Sequence, residues 1–73
     1  MVNLKKTQCE LIHEYMKEFG SITALEAMVD IGCMRLASRI SDLRRSGVAI
    51  NSRTVRVPKK MGGFANIAEY SLA

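Results

Sequence analysis

Apolar residues recur at helical spacing in three stretches of this chain, and then the rhythm changes to alternation. In "TQCELIHEYMKEFG", Ile12, Tyr15, Met16 and Phe19 follow the i, i+3, i+4, i+7 spacing that lines one stripe of a helix. Thr7 stands three residues before Glu10, where each side chain satisfies a backbone amide at a helix start, and Gly20 supplies a left-handed stop. "SITALEAMVDIG" repeats the arrangement. Thr23 and Glu26 form a second capping box, Leu25, Met28 and Val29 give a short apolar face, and Gly32 ends the helix. Ile22, between two turn-type residues, suits a brief strand. "CMRLASRISDLRRSG" predicts a third helix over about residues 33–46, with Leu36, Ile40 and Leu43 on its inner stripe, Cys33 and Ala37 at the edge, and Gly47 just past its end.

From Val48 the period falls to about two. "TVRVPKK" sets Val55 and Val57 against Thr54, Arg56 and Pro58. "FANIAEYSL" sets Phe64, Ala68, Tyr70 and Leu72 against Ala65, Ile67, Glu69 and Ser71, with Asn66 interrupting the apolar set. The intervening "KKMGG" is a glycine-containing turn approached by two lysines. Pro58 cannot donate to a ladder and suits a strand end or edge. The pattern therefore predicts an α+β chain: three helices, the second short, followed by a C-terminal β-hairpin.

Size narrows the choice of function. With 73 residues the expectation is one domain, residues 1–73, around one small core worth a few kcal/mol, with little room for an active-site cavity. No window approaches the roughly 18 apolar residues of a spanning helix. "MVNLKKTQCE" has no apolar run behind its lysines and is not expected to be an export signal. Two cysteines without such a signal point to reduced thiols in the cytoplasm. Cys9 and His13 are spaced i, i+4, but only Cys33 remains as an obvious third ligand, one short of a closed zinc site. Buried small hydrophobes are the expectation for both cysteines, with no metal. There is no glycine-rich phosphate loop, and His13 near Glu10 and Glu14 lacks a nucleophile. No catalytic residue, cofactor or small-molecule substrate is expected.

The formal charge of +4 is unevenly placed. Residues 1–31 hold three lysines against five carboxylates, net −2; residues 32–73 hold eight basic against two acidic side chains, net +6. Such polarity suits a face that meets a polyanion, against the plainer alternative of a solvated surface. At 100° per residue, Arg35, Ser38, Asp42 and Arg45 fall opposite the apolar stripe of the third helix, Met34 and Ser41 lie beside them, and Arg39 and Arg44 take the flanks.

Three helices, the second joined tightly to the third, then a hairpin, is an order that resembles a winged helix-turn-helix domain. "GSITALEAMVDIGCMRLASRISDLRRSGVAI" also resembles the small helix-turn-helix proteins of phages and prophages. The likeness rests on residues 20–23, 25–27, 35–36, 39–40 and 43–44 and on Gly47, and runs from about residue 7 to residue 72. It implies binding to double-stranded DNA, with the third helix as recognition helix and the hairpin as wing. Arg35 would read a base edge near the helix start, and Ser38 and Ser41 would donate to phosphate or base. Arg39, Arg44 and Arg45 would contribute along the helix, and Arg56, Lys59 and Lys60 from the wing, unless these last only protect an exposed strand edge. Asp42 departs from a DNA-facing pattern: it could accept from a cytosine amino group, but pairing with Arg39 or Arg45 three residues away is the expectation. The expected role is a phage or prophage transcriptional regulator or an excision-type architectural factor, with a second copy as a further partner. The alternative is an accessory protein that uses the same fold to bind and modulate a host protein complex.

Overall fold

A computed structural model describes residues 6–73; the reading of residues 1–5 as carrying no export signal lies outside them. The elements are α1 (Gln8–Phe19), β1 (Ile22–Thr23), α2 (Ala24–Glu26) running straight into a π-helical turn (Ala27–Ile31), α3 (Leu36–Arg45), β2 (Ile50–Pro58) and β3 (Phe64–Leu72).

Both capping boxes are closed. The Thr7 hydroxyl accepts the Glu10 amide at 3.2 Å while Glu10 Oε1 accepts the Thr7 amide at 2.8 Å. Thr23 and Glu26 repeat this at 3.3 and 2.9 Å. Ile22, fully buried, and Thr23 form the brief strand β1, placed opposite Tyr70 and Glu69 of β3. The sheet is antiparallel in the order β1–β3–β2, so the hairpin is tied to the helices through a third strand.

The hairpin register runs from Ile50 opposite Leu72 to Pro58 opposite Phe64. The Lys59 amide bonds the Gly63 carbonyl, and the Ala73 amide the Ala49 carbonyl, each at 3.0 Å. Those two bonds assign the shared ladder bonds to the odd-numbered residues of β2, so its even-numbered residues turn their backbone groups to the outer edge. Pro58 occupies such an edge position, where its missing N–H removes no ladder bond. Ile50 occupies another, and its outward carbonyl accepts Arg44 Nη2 at 2.8 Å. Gly62 and Gly63 close the turn at φ 108° and 75°, a pair of positive values that side chains resist.

The core is Ile12 and Met16 of α1, Ile22, Ala27, Cys33, the α3 stripe Leu36, Ile40 and Leu43, and Ile50. It lies where the helices meet the base of the hairpin. Beyond that base Val55, Val57, Ala65 and Ile67 are only half covered, and the hairpin extends an outline of 41 × 28 × 20 Å.

Three expectations are corrected. Leu25, Met28 and Val29 do not form the buried face of the second helix: Val29 is 69% exposed, while Ala27 is fully buried and Ile31 packs against the core. The chain enters α2 from β1, whose pairing with Tyr70 sets the phase, and the small Ala27 then faces inward. Phe19 is 67% exposed, covered only by the ring of Tyr15 at 4.7 Å between centroids. The third helix starts at Leu36, not Cys33. Gly32 turns left-handed, the Cys33 amide returns to the Ala27 carbonyl, and the buried Cys33 side chain anchors a turn that uses up residues 32–35.

The Arg44–Ile50 bond joins the end of α3 to the start of the hairpin. Arg44→Ala is expected to cost about 1–2 kcal/mol, the range for a partly covered hydrogen bond from a charged donor. In urea titrations the midpoint should fall at constant slope; an unchanged midpoint would remove Arg44 from the structural frame.

Candidate nucleic-acid interface

The outer face of α3 carries the charged side chains, and the structure sorts them. Asp42 sits between Arg39 and Arg45, each one turn away, and meets both guanidinium groups at 3.3 Å. The expected pairing of Asp42 is thus made twice over. These pairs are partly solvated, so each is worth a fraction of a kcal/mol, about 0.2–1, and yields readily to a better anion. Arg39 Nε is buried with no hydrogen-bond partner. Arg44 is engaged with Ile50. Among the described residues Arg35 makes no ion pair and stays exposed.

Arg35 is the residue that opens α3, with φ −131° and ψ 58°, and its carbonyl accepts the Arg39 amide at 3.2 Å. No side chain caps the first turn, so the leading amides of α3 have no side-chain partner at the N-cap. Ser38 is half-buried and Ser41 exposed on the same helix. Arg35, Met34, Ala37 and Ser38 share a shallow groove with Ile67 and Ala68 of β3, which brings the start of α3 against the middle of the hairpin.

On the hairpin, Arg53 is neutralised across the strands by Glu69 at 2.8 Å, so it adds no free charge. The Arg56 guanidinium lies 5.4 Å from the centre of the Phe64 ring, which holds it in place without removing its charge. Lys59 and Lys60 are exposed on the turn. At about 3.3 Å per strand residue, the turn lies about 17 Å from Ala68 and the groove beside Arg35. On a duplex that distance is on the order of five base pairs. The structure therefore gives two basic centres, the start of α3 and the hairpin tip, separated by the length of the paired strands.

Sequence pattern set Met34 beside Arg35 but missed Ala37, Ile67 and Ala68 as its neighbours. The alternation of β3 was readable, but which rung faces the start of α3 depends on the hairpin register. Among the described residues no cluster of His, Cys, Asp and Glu is arranged to hold a metal, and no helix is long and apolar enough to cross a membrane.

The carboxylates gather elsewhere. Glu14, Glu18 and Asp30 surround a groove floored by Leu11, Tyr15 and Phe19. A bond from the Lys6 ammonium holds the Glu14 carboxyl below its ordinary value. The Tyr15 hydroxyl donates to Asp30 Oδ2 at 2.6 Å, linking α1 to the π turn, and this bond pushes the phenol up to about 12 from 10.0. Because the folded value is the higher one, the stabilisation is complete below about pH 10 and is lost as pH rises through about 12. In Asp30→Ala, phenolate absorbance should show Tyr15 titrating closer to 10.0; coincident curves for parent and variant would remove the bond from the account.

No curated protein and no solved structure matches this chain. The family described as "Winged helix-turn-helix domain" matches residues 7–73, which include both capping boxes, α3 and the whole hairpin. With three helices, a three-stranded antiparallel sheet and that match, the chain belongs to the winged helix-turn-helix domain family, which suggests DNA as its partner.

Proposed function

We propose that this protein binds double-stranded DNA with sequence preference, laying α3 in the major groove and the hairpin along the backbone. The observation that carries the reading is Arg35: an exposed arginine without an ion pair among the described residues, at the uncapped start of a helix whose other arginines are paired or pinned. A guanidinium so placed matches the two acceptors of a guanine edge. Ser38 and Ser41 supply donors beside it. Arg39 and Arg45 exchange Asp42 for phosphate, and Arg56, Lys59 and Lys60 meet phosphate from the hairpin. Arg44 serves by holding the end of α3 to Ile50. The resemblance to phage and prophage proteins supports a role as a cytoplasmic transcriptional regulator or excision-type architectural factor.

Anisotropy titrations on random duplex test this. Arg39, Arg45, Arg56, Lys59 and Lys60 are five phosphate cations, so log K should fall against log salt with a slope of about −4.5. Selection from a random pool should then return a preferred site. A protein that binds no duplex at low salt ends the DNA reading and favours the second one, an accessory protein whose basic face meets an acidic surface of a host complex.

A further inference from the structure

Next to Arg35 the surface is apolar where a purely phosphate-directed surface would be polar. Met34 is 75% exposed in the turn that leads into α3. Ala37 is exposed in the first turn of the helix. Ile67, Ala68 and Tyr70 of β3 also line the groove they share, with Arg35 and Ser38 among its polar members. An exposed methionine beside other apolar groups favours covering by an apolar partner.

If the start of α3 enters a major groove, the base edges there offer one apolar group, the C5-methyl of a pyrimidine. We propose that Met34 and Ala37 form a subsite for that methyl group, beside the base that Arg35 reads. The proposal rests on the DNA-binding reading and deepens it, because it states what kind of base must stand next to the guanine. Arg35 supplies directed hydrogen bonds; Met34 and Ala37 supply contact area that only a methylated pyrimidine fills. Methionine suits the task, since its unbranched side chain adapts to the position of a small apolar group. Two bases present this methyl, thymine and 5-methylcytosine.

The test uses the full chain and a duplex selected from a random pool, in which each thymine is replaced singly by deoxyuridine. That exchange removes the methyl and leaves every hydrogen-bonding group in place. One or two positions beside the guanine should lose about fourfold in affinity, the worth of one buried methyl group. Met34→Ala should bind the parent duplex more weakly and show no further loss on the uridine duplex. Met34→Ala lies in an exposed turn, and an unchanged melting curve will show that it folds. A third duplex places cytosine or 5-methylcytosine at the sensitive position. A gain with the methylated base assigns the subsite to the methyl group on either pyrimidine, and equal binding confines it to thymine. If DNA is bound but every uridine exchange is neutral, the subsite is refuted while the DNA reading stands. A uridine penalty that persists in both Met34→Ala and Ala37→Gly also refutes it. If no duplex is bound at low salt, the reading on which the subsite rests has failed as well.

Discussion

Ile40→Ala is expected to lower the melting temperature of this protein by at least about 8 °C. Ile40 is 1% exposed and lies between Leu36 and Leu43 on the stripe that α3 turns toward α1. Truncating a buried isoleucine to alanine typically costs about 2–5 kcal/mol, from lost transfer energy and the cavity left behind. A chain of this length has a total of about 4–11 kcal/mol to lose. The control is Val29→Ala. Its spacing puts Val29 on the apolar face of the second helix, yet the structure leaves it largely exposed, so the change should stay within about 0.5 kcal/mol. Calorimetry on the two variants decides the phase of both helices. If Val29→Ala is as damaging as Ile40→Ala, the buried face assigned to the second helix is wrong.

Elements bounded by local chemistry were legible in the sequence. Thr7 with Glu10 and Thr23 with Glu26 specify helix starts through bonds that span three residues, and the structure makes all of them. The α3 stripe is likewise local, and Leu36, Ile40 and Leu43 are buried as their spacing requires. Alternation marked the hairpin strands but not the covered face of β3: Phe64 and Ala68 are exposed, while Ala65 and Ile67, opposite Val57 and Val55, are half-covered. Where two local answers compete, the decision is tertiary. The second helix offers Leu25, Met28 and Val29 on one face and Ala27 with Ile31 on the other, and size alone favours the first. Pairing of Ile22 with Tyr70, forty-eight positions away in the chain, chooses the second. The start of α3 failed for a related reason: Cys33 continues the helical period, but it is buried from within a turn.

The candidate site divides in the same way. Residue type and helical phase pointed to Arg35, Ser38, Ser41 and Arg45 on the outer face of α3. Neither could show that Arg44 reaches Ile50, because that contact needs the edge carbonyl left free by the hairpin register. Nor could they place Ile67 and Ala68 beside Met34. The charge pattern gave a basic half, and the structure shows how unequal its members are. Asp42 and Glu69 engage three of the arginines and the Ile50 carbonyl holds Arg44, which leaves Arg35, Arg56, Lys59 and Lys60 with neither an ion pair nor such a bond among the described residues.

That inequality makes Arg35 and Lys60 expected to fail differently on DNA. Arg35 has its backbone fixed at the start of a packed helix by the Arg39 amide, so the stem of its side chain starts from a set position beside the groove. Arg35→Ala should cost about 1–3 kcal/mol on the preferred site and relax preference at one position. Random duplex should hardly notice the change, since a base contact carries no weight there. Lys60 stands on a glycine-rich turn about 17 Å away and has only a point charge to offer. Lys60→Ala should weaken selected and random duplex alike and flatten the slope of log K against log salt by about one unit. Neither substitution touches the core, so both variants should melt like the parent. Salt titrations of the three proteins on the two duplexes separate the roles. Parallel losses for both variants on both DNAs would leave Arg35 a phosphate contact and remove α3 from the reading of sequence.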